Sequence, residues 1–275
     1  MTTRRVIALL TDFGLADPYV AAMKGVILSV TPRVSIVDIT HEVRPQAVEQ
    51  GAFLLEMALP YFPPGTVFVA VVDPGVGTAR RPLALAGPGG LFVGPDNGLL
   101  SPALPEKTRE AVVGETTAAV PLPSGYRAVV LADERFFRHP VSATFHGRDI
   151  FSPVAAHLAA GVAIDELGPA TDWLLALPPF RARRQEDGSL LGRVVHIDRF
   201  GNLVTDVRRA DIPGQRLTVE VAGRRVPGLA RTYAEARGLC AIIGSAGYLE
   251  IALPNGSAQR ELGVEIGARA IVRPL

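Results

Sequence analysis

Two hydrophobic periods take turns along the first part of the chain. Val6–Thr11 is a continuous apolar run of strand-forming character, the pattern of a strand covered on both faces. Tyr19–Val30 then places Val20, Met23, Ile27 and Val30 on one helical stripe. Val34–Ile39 reads as a second buried strand and Val48–Leu59 as an amphipathic helix ended by the Pro60 to Pro64 segment. Val67–Val72 is a third strand, stopped by Asp73-Pro74-Gly75. Strands and helices alternating at this pace build a parallel sheet through crossovers. Leu83–Ala86 and Leu91–Val93 read as shorter strands around a Gly-Pro-Gly-Gly turn, and Ile150–Ala160 as a helix entered from a polar loop.

Beyond about residue 172 the pattern changes. Leu177–Ser189 mixes prolines, arginines and small polar residues, which suits a linker. Short alternating runs follow, divided by Gly, Asn and Pro: Val194–Ile197, Leu203–Val207, Leu217–Val221, Cys240–Ile243, Tyr248–Ala252 and Ala270–Val272. Six short strands with few helical windows suggest a small barrel or sandwich. The expected fold is an α/β N-terminal domain with a mostly parallel sheet (residues 1–175), a linker (176–190) and a small all-β, barrel-like C-terminal domain (191–275).

Composition removes several classes of function. With 28 basic and 27 acidic residues the chain carries no net field to attract a polyanion, so no nucleic-acid partner is expected. No apolar stretch reaches the ~18 residues of a membrane span, and the N-terminus lacks the pattern of a signal peptide. A soluble, cytoplasmic protein without a membrane partner is expected. The one cysteine, Cys240, lies in the apolar run Leu239–Ile243 and reads as a buried thiol; alone it excludes an internal disulfide and a cysteine-based zinc site. The five histidines show no HxH or HExxH spacing, so no metal site is expected. Asp12-Phe13-Gly14 spells a kinase motif, yet neither a Gly-rich loop nor a strand lysine accompanies it, and no phosphate loop or GxGxxG follows the first strand.

Position supplies the positive signals. Ligands of open α/β sheets bind outside the carboxyl ends of strands, and Asp12 and Asp73 stand at two such ends. A strand-end Asp often caps the next helix; Asp17, directly before Pro18, fits that task better, which leaves Asp12 free to accept two hydroxyls of a ribose. In Asp73-Pro74-Gly75-Val76-Gly77-Thr78-Ala79-Arg80 two glycines allow a tight loop that folds Arg80 back towards Asp73. By itself that pair reads equally as a structural clamp. Thr144 to Asp149 offers His146 in a loop before a helix. Ile197 to Leu203 is either a hairpin or a polar and aromatic edge for a heterocycle, with Asp198, Phe200 and Asn202; Gly244 to Glu250, with Ser245, is a turn or a cradle for an amino acid head group.

Taken in order, Thr11 to Gly14, Val72 to Arg80, Gly94 to Leu100, Phe145 to Asp149, Asp198 to Asn202 and Ser245 to Glu250 resemble the S-adenosyl-L-methionine (SAM) hydrolases, or SAM hydroxide adenosyltransferases. These are relatives of fluorinase and chlorinase. The resemblance runs from about residue 5 to the C-terminus. It implies hydrolysis of SAM to adenosine and L-methionine by in-line displacement at ribose C5′. It also implies Asp73, Arg80 and His146 as a water-handling triad, Asp12 on the ribose, Asn202 on the adenine edge, and Asp198 and Ser245 on the methionine head group, with Phe200 and Glu250 in the same segments. No cofactor is implied, SAM being the substrate. The family's homotrimers place each site between the N-terminal domain of one subunit and the C-terminal domain of the next. A SAM-dependent halogenase is the alternative the resemblance offers, but an anionic Asp73 would repel a halide, and Val76 stands where fluorinase has a fluoride-contacting threonine. A non-catalytic SAM- or adenosine-binding protein would not need the triad. Gln46 departs from the family, which often has an aromatic residue beside the ribose.

Overall fold

β1 (Val6–Thr11) has five of its six residues buried, and its two faces are covered by different helices. In the computed structural model, which describes residues 5–114, 116–212 and 217–274, Ile7 and Leu9 pack with Met23 and Ile27 of α1 (Tyr19–Val30). After β2 (Ser35–Thr40), α2 (Val48–Ala58) brings Gly51 beside Leu10. Each large apolar side chain buried this way contributes roughly 1.5–3 kcal/mol. β1 runs parallel to β2 on one side and to β3 (Val67–Val71) on the other. Asp12 and Asp73 therefore emerge at the same end of neighbouring strands.

The chain divides into two compact units, Met1–Pro179 and Phe180–Leu275. In the first, β4 (Pro82–Gly87) and β5 (Gly90–Pro95) form a tight hairpin, with β5 parallel to β3. α3 (Glu106–Arg109), β6 (Ala118–Pro121), β7 (Arg127–Val130), α4 (Ser152–Ala160), β8 (Ala170–Thr171) and β9 (Trp173–Ala176) follow. The main sheet has the order β2-β1-β3-β5-β4-β7-β8. Its β2-to-β5 half is parallel, and the β4, β7 and β8 pairings are antiparallel. The sheet is mixed, so the expectation of a mostly parallel one holds only for its β2-to-β5 half: the Gly87–Gly90 turn is too short for a crossover and so reverses the strand. Asp17 is also corrected. α1 starts from Pro18 in the capping position, with no side-chain cap bond.

In the second unit the strands are β10 (Arg183–Arg184), β11 (Leu190–Ile197), β12 (Leu203–Arg208), β13 (Leu217–Val221), β14 (Arg224–Pro227), β15 (Leu229–Ala230), β16 (Cys240–Ile243), β17 (Tyr248–Ala252) and, after the short helix α5 (Ala258–Leu262), β18 (Arg269–Pro274). β11 pairs with β18 through Leu190–Arg193 and with β12 from Val194 onward, so the sheet curls at that point. β14 returns alongside β16, although no ladder joins them among the described residues. The result is a curled half-barrel around Val194, Leu203, Val219, Leu249, Ile251 and Val272. Phe180 and Ala182, within the segment expected as a linker, are buried in this unit, and β10 pairs with β11.

Candidate active site

The three loops that follow β1, β2 and β3, together with the loop before α4, line a cavity of about 380 Å³, with Asp12, Phe13, Tyr19, Pro45, Gln46, Asp73, Val76, Thr144, Phe145 and His146 among its walls. A volume of this order suits a small molecule. Phe13, Tyr19 and Phe145 meet edge to face, with ring centroids 5.2–6.0 Å apart, and give the cavity an apolar wall. In the sequence Phe13 and Phe145 stand out only as members of motifs, and Tyr19 as the first residue of the α1 pattern.

Asp12 Oδ2 accepts the backbone N–H of Gln46 at 2.7 Å. That donor is aimed by an unusual backbone, since Gln46 holds φ at 65° without being glycine. Burial raises the Asp12 pKa above the ordinary carboxylate value, the Gln46 N–H opposes the rise, and the nearby Asp73 charge adds to it. Asp12 and Asp73 thus feel each other across one cavity. Gln46 also lines the cavity wall.

Arg80 sits behind Asp73. Its Nε donates to Asp73 Oδ1 at 2.9 Å and Oδ2 at 3.0 Å, and Nη2 donates to Oδ2 as well. The same Nη2 lies 2.8 Å from His146 Nδ1. A guanidinium has only donors, so Nδ1 must be the acceptor and the ring proton belongs on Nε2. Burial first, and then the Arg80 charge, lowers the His146 pKa, which favours this neutral form. Asp73 and Arg80 side chains are 5% and 10% exposed, so the pair is held in a drier setting than a surface ion pair.

The surrounding chain holds these three groups in place. Gly77, at φ 75°, passes so close to the His146 loop that a Cβ there would stand 2.5 Å from the Ala143 carbonyl oxygen. His146 leads into a π-helical turn, Gly147–Phe151, continuous with α4; a Cβ on Gly147 would press on Phe13 at 3.2 Å. Asp149, fully buried, takes Arg148 Nε at 2.7 Å, Arg138 Nη1 at 3.3 Å and the Ser142 N–H at 3.0 Å, tying down the loop that carries His146. Asn97 Nδ2 donates to the carbonyl of Val72, directly before Asp73, at 2.9 Å. Arg81 turns away from Arg80 to pair with Asp96 and stack on Trp173. Asp96 and Asn97 of the Gly94 to Leu100 motif therefore act as struts.

A second cluster lies in the C-terminal unit. Asp198 Oδ1 accepts the N–H groups of Phe200 and Asn202, both at 2.9 Å, and Oδ2 accepts Asn202 Nδ2 at 2.8 Å. This closes a turn that leaves Phe200 76% exposed at its tip. Burial raises the Glu250 pKa, and the negative charge of Asp198 raises it further, against a hydrogen bond from Tyr233. Asp198, Asn202 and Glu250 are thereby brought together, with Tyr233 as a member that sequence reasoning missed. Ser245 stands exposed in the Gly244–Gly247 turn, and among the described residues no side-chain hydrogen bond holds it. No helix of the described residues is long and apolar enough to cross a membrane.

Comparison with known proteins matches both units. Residues 7–168 match the model of the SAM hydroxide adenosyltransferase N-terminal domain, and residues 192–271 that of its C-terminal domain. The chain is 43% identical over 271 residues to an (R)-S-adenosyl-L-methionine hydrolase of Thermus thermophilus, covering 96% of this chain and 97% of the relative. It is 31% identical over 234 residues to a fluorinase of an Actinoplanes species, covering 75% of this chain and 73% of that one. The crystal structure of an uncharacterised conserved protein from Thermotoga maritima superposes with a TM-score of 0.82 at 32% identity, covering 97% of this chain and 99% of that one.

Proposed function

Since the chain belongs to the SAM hydroxide adenosyltransferase family, we propose that it is a hydrolase converting S-adenosyl-L-methionine to adenosine and L-methionine by attack of water or hydroxide at ribose C5′. The observation that carries the reading is the Asp73–Arg80–His146 cluster at the cavity wall. Asp73, oriented by Arg80, accepts one O–H of the nucleophile. His146 presents Nε2–H, a donor for the oxygen of that same water. With Nδ1 occupied by Arg80, His146 does not take the proton; it holds and stabilises a water whose proton goes to Asp73. Alignment of this kind is worth several kcal/mol of barrier, on the order of 7–11 kcal/mol at best.

The remaining chemistry asks little of the protein. The leaving thioether is neutral, so no general acid is needed, and the reaction as written uses no metal or cofactor. Hydroxide and sulfonium cancel charge as they react, which a water-poor, aromatic-walled cavity favours. Asp12 binds the ribose hydroxyls. Asn202 reads the adenine edge, Asp198 and Ser245 hold the methionine head group, and Phe200 and Glu250 flank them. A homotrimer completes each site, bringing the C-terminal cluster of one subunit to the N-terminal cavity of another. We place the reaction in the cytoplasm, consistent with the lone buried thiol of Cys240.

The test is isotopic. Incubation with SAM in ¹⁸O-water should put label on the adenosine 5′-oxygen. SAM binding without product would sink the hydrolase reading and leave a binding protein; 5′-chloroadenosine formed in chloride would instead revive the halogenase. The pH profile adds a second expectation. The neutral His146 ring is the working form, and its lowered pKa keeps it neutral in acid where a free imidazole would already be charged. As pH falls, kcat should therefore hold through the ordinary histidine range, about 6.5, and drop only below it. A kcat already halved at or above that range would mean that burial and Arg80 do not hold the ring neutral, and would take the Arg80–Nδ1 contact out of the mechanism.

A further inference from the structure

His41, just after β2, is a buried histidine for which the reaction above has no use. Its side chain is 2% exposed. Nδ1 lies 2.8 Å from Thr11 Oγ1, and its backbone carbonyl accepts the N–H of Gly14 at 2.7 Å. Thr11 and Gly14 are the two ends of the turn that carries Asp12. Within the turn, Thr11 Oγ1 also accepts the N–H of Phe13 at 3.2 Å. One residue thus grips both ends of the segment from which the Asp12 carboxylate projects.

The direction of these bonds follows from the neighbours of the ring. Nε2 faces Asp38 Oδ1 at 3.1 Å, too misaligned for a hydrogen bond, and has no other partner among the described residues. The carboxylate nevertheless draws the ring proton to that side. Asp38 is itself held by Lys24 Nζ at 2.6 Å. Nδ1 is then the acceptor of the Thr11 hydroxyl proton, which leaves Thr11 lone pairs for Phe13 N–H. A surface ion pair, a buried imidazole and a buried hydroxyl form one chain that ends beneath the cavity floor, and neither His41 nor Thr11 lines the cavity.

We propose that His41 is a positioning residue for Asp12, locking the Thr11–Gly14 turn so that the carboxylate meets the two ribose hydroxyls of the substrate. The inference rests on the ribose role given to Asp12 above. Because Asp12 binds and does no chemistry, the consequence falls on affinity. His41→Leu should weaken adenosine binding and raise KM for SAM by roughly tenfold, the scale of one lost buried hydrogen bond, while kcat stays within about twofold. His41→Asn, whose amide oxygen can stand where Nδ1 stood, should restore most of that loss.

The decisive experiment is a double-mutant cycle on adenosine affinity, measured by titration calorimetry with the full-length protein. In an Asp12→Ala background, His41→Leu should add nothing, because the group it positions is gone; a residue that merely supports the fold would cost the same in both backgrounds. Full additivity, or an unchanged Kd in His41→Leu, overturns the proposal while the substrate reading stands. Failure of the wild-type protein to bind adenosine would overturn the substrate reading and the proposal with it. If His41→Leu does not fold, Thr11→Val removes the same hydrogen bond with little change of shape and enters the same cycle.

Discussion

Asp73→Asn is expected to lower kcat by about three orders of magnitude, within the 10²–10⁴-fold range of a positioned acid–base group. The substitution keeps the shape of the side chain but gives it one acceptor in place of two. Arg80 approaches Asp73 with donors only, Nε on both oxygens and Nη2 on Oδ2, so the new amide must turn its oxygen to Arg80. Its NH₂ group then faces the cavity and offers a donor where the nucleophile needs an acceptor. Asp12 feels the loss of the Asp73 charge only as a relief of repulsion that favours its ionised form, and its carboxylate is still held by the Gln46 N–H. Adenosine affinity should consequently stay within a few-fold, and the loss should appear in kcat rather than KM. Single-turnover rates and calorimetry on the same preparation check this. Wild-type turnover would take Asp73 out of the mechanism; equal loss of turnover and nucleoside binding would recast it as a clamp for the loop.

Much of the fold was written in local pattern. β1 and β3 are unbroken apolar runs because both faces are covered, and α1 shows its Val20, Met23 and Ile27 stripe because only one face is. The mixed half of the sheet was partly legible too, since a turn as short as Gly87–Gly90 can only join antiparallel neighbours. Alternation of strand and helix had suggested otherwise, but that pattern ends at β3. β6 and β9, by contrast, carry Pro121 and an exposed Trp173 at their ends, and the short apolar run of β9, Trp173–Ala176, stands directly against a proline- and arginine-rich segment. Arginine-rich β10 owes its strand character to pairing with β11 rather than to its own residues.

The site divides along the same line. Asp12 and Asp73 were readable because strand ends are where loops converge, and the two glycines of the Asp73 loop announced a chain that doubles back. The bond between Arg80 and His146 spans 66 positions, and no spacing rule reaches that far; only the family resemblance joined them. Tyr233, in a short helical turn before β16, and Glu250 of β17 meet on the same terms. The aromatic wall was hidden for another reason. Phe13, Tyr19 and Phe145 have the composition of ordinary core residues, and only their edge-to-face packing beside the cavity separates them from the core.

Arg80→Lys is the substitution that tests whether the guanidinium fork itself matters, since it keeps the positive charge. Nη2 of Arg80 serves Asp73 and His146 together, while Nε holds the carboxylate from the side. A lysine ammonium is a point charge on a flexible stem and cannot reproduce that planar geometry. It also gives up the approach of the guanidinium to the Phe151 ring, 5.2 Å from its centroid. If the ammonium settles on Asp73, His146 Nδ1 loses its donor and the ring is free to change tautomer, so the Nε2–H aimed at the nucleophile is no longer assured. Turnover should fall by about a hundredfold with KM little changed, on the scale of a lost preorganised donor. The acid limb of the kcat profile should also move up toward the ordinary imidazole range, because the guanidinium charge that helped to lower the His146 pKa is no longer fixed against the ring. A lysine variant with the wild-type rate and acid limb would mean that charge alone suffices and that the shared Nη2 contact plays no part in holding His146.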